Sequence, residues 1–154
     1  MTEQTTVHDA VADTRERVHD AMAEFVGEHA VTELPSGDVA VRYGSAQVTV
    51  TVRRFDEDSS LVVLDAPLVS GIAPSAELYE YVATATPEQG LGHLGLAIAT
   101  DGTATIHFRH TLLGEYLEPA ELRLSVVAIA LLGDRMDDAL AERFGGSTFY
   151  PTND

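Results

Sequence analysis

Cysteine is absent from this 154-residue chain, which removes thiol nucleophiles, disulfides and cysteine-based zinc sites. Lysine is absent too, so all 9 basic side chains are arginine, set against 25 acidic residues for a formal charge of -16. With so few cations the chain cannot replace the counterions along a phosphate backbone. Nucleic acid and anionic lipid are therefore excluded as nonspecific partners, and a basic partner, or simple solubility, is the natural counterpart of the charge. Long apolar runs are missing: the uncharged stretch from Leu124 to Leu132 is far short of the ~20 residues that cross a bilayer. The acidic start MTEQTTVHDAVADTRERV has no apolar h-region, so no Sec-type leader is expected and the expected location is cytoplasmic. Neither G-x-S-x-G, a Walker loop, H-E-x-x-H nor an EF-hand pattern occurs, which leaves no catalytic constellation and implies no enzyme activity and no cofactor.

What is present suffices for a core. At 45% hydrophobic residues the chain reads as a single domain over 1–154, with its packed part at about 7–146 and a tail at 147–154. The period of the apolar residues gives the element order. Val7, Val11, Thr14, Val18, Met22 and Phe25 recur at helical spacing from about Val7 to His29, and the outward side carries Asp13, Glu16, Arg17, Asp20 and Glu24. His8, His19 and His29 on this helix are expected to face solvent. After Leu34-Pro35-Ser36-Gly37 the period changes to two. Val39, Val41 and Tyr43 lead through a type II′ turn at Gly44-Ser45 into Ala46, Val48, Val50 and Val52, which pairs Val41 with Val48 and Val39 with Val50. A third strand, more continuously apolar, runs near Leu61 to Leu68.

Ser75 caps a short helix from Ala76 to Ala85. A hairpin follows, in which a Thr100-Asp101-Gly102 loop places Ile98 opposite Ala104, Leu96 opposite Ile106, His93 opposite Arg109 and His107 opposite Gly95. The last helix runs from Pro119 to Phe144, with proline at its first position and Gly145 just past its end. Leu122, Val126, Ile129, Gly133, Met136, Leu140 and Phe144 form its core stripe. Leu124, Val127 and Leu131 lie on the opposite side, so the first half of this helix needs cover on two sides, from the first helix or from a second subunit. The order α-β-β-β-α-β-β-α describes an α+β domain, an antiparallel sheet with helices packed on one face and a polar face opposite.

Three motifs invite chemistry and have plainer readings. Gly90 to Gly95 spells G-x-G-x-x-G, but it follows a helix and opens a strand, whereas a dinucleotide loop does the reverse. His93, His107 and His110 are possible metal ligands, yet His110 falls on the other face and no carboxylate is placed beside the pair, so no metal site is expected. Asp134, Asp138 and Glu142 stand four apart with Asp137 beside them, and read as a solvated acidic face.

The later segments LDAPLVSGIAPSAELYEYVA, LGHLGLAI, ATIHFRHTLLGEYLEPAEL and LLGDRMDDALAERFGG resemble the actinobacterial YbjN-like proteins grouped with the type III secretion chaperones of the CesT and SycE class. The most specific part is HTLLGEYLEPAEL followed by GDRMDDAL and FGG, and the likeness covers about Gly37 to Gly146. It implies a small, acidic, usually dimeric protein that binds a client polypeptide in non-globular form without ATP and without catalytic residues. The client would add as a strand at a sheet edge or lie in apolar grooves beside the helices. Two surfaces are candidates: the polar sheet face of Thr49, Thr51, Arg53, His107 and Arg109, and the helix side of Leu124, Val127 and Leu131 for a client or a homodimer. A regulatory adaptor and a small-ligand or metal-dependent enzyme using the His93 and His107 face are the alternatives. The enzyme requires a concave pocket with convergent polar groups.

Overall fold

A computed structural model describes residues 9–27, 30–43, 45–85 and 90–149. In chain order these form α1 (Ala10–Val26), β1 (Val31–Glu33), β2 (Val39–Tyr43), β3 (Ala46–Arg54), β4 (Ser60–Ile72), α2 (Ala76–Thr84), β5 (His93–Ile98), β6 (Ala104–Leu113), α3 (Pro119–Phe144) and β7 (Ser147–Thr148). The strands make one antiparallel sheet in the order β1-β2-β3-β4-β6-β5. β7 pairs with β4 at Val69 and Ser70, on the edge that β3 vacates beyond Asp65. The expected order of elements is present, and the expected antiparallel α+β fold is what the chain adopts. Two short strands are added at its ends. Three residues in β1 and two in β7 are too few to show an alternating pattern. Ser147 and Thr148, expected in the tail, thus belong to the sheet.

Register follows from alternation, because a one-residue slip would turn every apolar side chain to water. Val39 pairs with Val50 and Val41 with Val48. In the second hairpin, Ile98 faces Ala104, Leu96 faces Ile106, His93 faces Arg109 and Gly95 faces His107. Both registers are those the sequence predicts. The type of the first turn lies outside the described residues at Gly44, whereas Gly102 in the second takes the expected left-handed conformation at φ 84°.

The core fills one side of the sheet. Val48, Val50, Val62, Leu64, Ile106 and Phe108 meet Val18 and Met22 of α1, Leu78 of α2 and Leu122, Val126, Ile129 and Leu140 of α3. Each helix starts as its sequence directs. Asp9 accepts the Val11 N–H at 3.1 Å, Ser75 accepts the Leu78 N–H at 3.1 Å, and Pro119 opens α3. Gly133 lets α3 sit close on the sheet, since a Cβ there would lie 3.1 Å from Leu68 Cδ2. Met136 and Phe144 of the predicted stripe are half-buried at the margin, where the Phe144 and Tyr81 ring centroids are 5.2 Å apart.

α1 is tied down by a polar knot as well as by its apolar stripe. Thr14 Oγ1 and Ser60 Oγ lie 2.8 Å apart and buried. Arg17 donates to Thr14 Oγ1 at 3.1 Å and to the Gly114 carbonyl at 2.7 Å, the Gly114 N–H donates to the Ser60 carbonyl at 2.8 Å, and the Ser60 N–H donates to the Glu115 carboxylate. Two expectations for α1 change. His19 is half-buried, with Nε2 3.1 Å from Glu33 on β1, because β1 brings an acid beside it; His8 and His29 lie outside the described residues. Phe25 is 37% exposed at the helix end, under the Arg123 guanidinium at 5.9 Å.

Candidate functional site

The side of the sheet away from the helices is built by the alternate residues of the same strands. Register lines up Ala40, Thr49, Asp65, Arg109 and His93 in one row across five strands, with Thr51, Val63 and Thr111 in the next. Thr49, Thr51, Arg53, Val63, Asp65 and Arg109 together line an open depression of about 220 Å³. Four of the five residues expected on this face thus share one depression, and His107 joins them through Asp65.

Asp65 is the residue that sequence reasoning missed. Its Oδ2 lies 2.8 Å from His107 Nδ1 and its Oδ1 accepts Arg109 Nε at 2.5 Å. Burial pushes this carboxyl up, but the hydrogen bonds and charges of His107 and Arg109 outweigh it and hold Asp65 below the usual carboxylate range. The expectation that no carboxylate stands beside the histidines is therefore corrected: the pairing of β4 with β6 supplies one. A lone acid inside the apolar run LVVLDAPLV was the available signal, since an ionised group at mid-strand needs a partner. Sequence alone does not say that β4 lies next to β6.

The other histidines diverge. His93 is exposed at the edge of the sheet, across from Arg109. His110 faces the core side, as predicted, where burial lowers its pKa, opposed by Glu121 and aided by His93. Among the described residues no group of three or more His, Asp or Glu side chains could hold a metal ion. The glycine motif also has a packing role. Gly92, at φ 71°, lies so close to β6 that a Cβ would meet the Arg109 carbonyl at 2.5 Å and the Phe108 ring at 3.0 Å.

On α3 the second surface stands clear of the sheet. Leu124 is 67% exposed and Leu131 36%, with Val127 half-buried between them. Among the described residues α1 leaves Leu124 uncovered. The acidic half of the helix is only partly the solvated face expected. Asp138 and Glu142 are exposed, but Asp137 is buried, and Asp134 and Asp137 converge on Ser45 at the turn between β2 and β3. Burial pushes the Asp137 carboxyl up, against the Asp138 N–H and Ser45, while the Ser45 hydroxyl and amide bring Asp134 down.

A larger cleft of about 470 Å³ lies far from His93 and His107, between α1, Asp58 and Glu115. Its lining of Asp13, Glu16, Asp20, Asp58 and Glu115 around Arg17 is mostly acidic. No helix among the described residues is long and apolar enough to cross a membrane.

A search of curated protein sequences finds no match to the chain. A family model does match, over residues 12–152. That span includes the open sheet face, the polar knot and the whole of α3. The chain belongs to the family described as T3SS (YopN, CesT) and YbjN peptide-binding chaperone 1.

Proposed function

We propose that this protein is a non-enzymatic chaperone that holds an extended segment of a client polypeptide on the open face of its sheet and acts as a homodimer through α3. The observation that carries this reading is the division of the sheet: all three helices pack on one face, leaving Thr49, Thr51, Arg53 and Arg109 around an open depression on the other, with His107 half-buried beside Asp65. An extended chain fits such a surface because strand and client share a period of two. β5 pairs with β6 alone among the described strands, so its outer edge offers backbone groups at the border of that face. Leu124, Val127 and Leu131 would meet their copies across a two-fold axis, which suits one self-complementary apolar patch.

Affinity capture from the native host, with and without ATP, tests the client-binding part. A specific polypeptide that co-purifies in both conditions and rebinds the purified protein is the expected result. Recovery of the protein by itself, together with failure to bind unfolded polypeptide in vitro, defeats the reading. The dimer is tested separately by sedimentation: a dimer at micromolar concentration is expected, and Leu124→Asp converts it to a monomer with an unchanged far-UV circular dichroism spectrum. A wild-type monomer across that range removes the dimer.

A further inference from the structure

The open sheet face concentrates positive charge on a chain that is strongly acidic elsewhere. On the strand residues that alternate with the core, register places Arg42, Arg53 and Arg109 and a single carboxylate, Asp65. This one surface therefore has three arginines to one acid, in a protein with 9 basic and 25 acidic residues. Many of the described acids lie on other surfaces, among them the outer side of α1, the Asp56 to Asp58 turn and the far half of α3. Asp65 is committed to His107 and Arg109, and the pair it makes with Arg109 is neutral, so the surplus on this face is carried by the remaining arginines.

Arg53 and Arg109 keep donors to spare. Arg53 is exposed at the end of its strand and forms no ion pair among the described residues. Arg109 binds Asp65 through Nε, which leaves the two terminal nitrogens of its fork without a protein acceptor among the described residues. A guanidinium fork matches a carboxylate with two parallel hydrogen bonds, stronger than neutral ones. Between the two lie Thr49, Thr51 and Val63, small side chains that let a second backbone approach. The acids on the other surfaces repel an anionic ligand at long range, but within a Debye length of about 8 Å at physiological salt the nearest charges dominate.

We propose that the client segment held on this face is acidic, its carboxylates bound by Arg53 and Arg109, so that the net charge of the whole molecule gives the wrong sign for its partner. This rests on the client-binding reading above and adds the chemistry of the client to it.

Three end-labelled synthetic peptides of equal length, alternating Thr with Glu, Lys or Gln, test it by fluorescence anisotropy on the full chain. The Glu peptide is expected to bind about tenfold tighter than the Lys peptide, a difference of about 1.4 kcal/mol. Arg53→Gln, at a side chain with no ion pair among the described residues, is expected to weaken the Glu peptide about fivefold and the Gln peptide by less. The double variant Arg53→Gln, Arg109→Gln weakens it further. Equal or tighter binding of the Lys peptide overturns the proposal, as does a Glu peptide indifferent to Arg53. If the Lys or Gln peptide binds and the Glu peptide does not, the proposal fails while client binding stands. If none binds, the proposal fails, and the affinity capture above decides whether client binding fails with it.

Discussion

On β3, β4 and β6, neighbouring residues have opposite environments. Val48, Val50, Val62, Leu64, Ile106 and Phe108 point to the helices and are at most 1% exposed, while Thr49, Thr51, Arg53, Val63, Asp65 and Arg109 point away and remain partly open. The backbone is the same and the period of two separates the tasks. Stability is concentrated on one face, where each buried apolar side chain contributes roughly 1.5–3 kcal/mol. The other face can therefore carry charge and hydroxyl groups for a partner at little cost to folding.

The sharpest way to break that division is Phe108→Ala. Phe108 is among the largest fully buried side chains, and its loss should cost about 3–5 kcal/mol in urea titration. Next is Ser60→Ala, which removes a buried hydroxyl from the knot that joins Thr14, Arg17 and Gly114. The Thr14 hydroxyl then loses its buried partner, at a cost of about 1–3 kcal/mol. A smaller effect is expected on the open side from Asp65→Asn, about 1 kcal/mol at neutral pH, because the group is only partly shielded from water. Asp65 has a lowered native pKa, so its stabilisation is present above the unfolded value of about 3.9 and is lost as pH falls through the lower native one. Variant and wild type should converge on acidification, as read by thermal unfolding at a series of pH values. The smallest change is Thr51→Ala, within about 0.5 kcal/mol; a large loss there would show that the open face also bears structural load.

Much of the fold was legible because periodicity is a physical requirement. Alternation of valines, together with the two-residue turn expected at Gly44-Ser45, allowed only one register of β2 on β3, and Pro119 with Gly145 bounded α3. What escaped depended on neighbours distant in the chain. β1 and β7 are too short to have a period and exist only because β2 and β4 offer them an edge. The candidate site was legible as a face, through Thr49, Thr51, Arg53, His107 and Arg109, but not as a cluster. Asp65 joins it only once β4 lies against β6, more than 40 residues away in sequence by the Asp65 to His107 contact. Asp137 misled in the other direction. Helical spacing placed it among solvated acids, whereas the tip of the first hairpin folds over it and supplies Ser45.

That tip has a consequence that emerges from counting hydrogens. Ser45 Oγ lies within hydrogen-bond reach of both Asp134 Oδ1 and Asp137 Oδ2, yet a hydroxyl has one hydrogen to give. Asp134 also takes the Ser45 N–H, at 3.3 Å, and Asp137 Oδ1 takes the Asp138 N–H at 2.7 Å. The two carboxylates therefore compete for a single hydrogen, which favours the charged form of the one that holds it and the neutral form of the other. This is the sense in which burial shifts Asp137 and the serine shifts Asp134. The tie between hairpin and helix is one serine hydroxyl shared by two unlike acids. Asp137 has a raised native pKa, so the tie is favoured at lower pH, and a rise in pH that charges both carboxylates is expected to weaken the hold of α3 on Ser45.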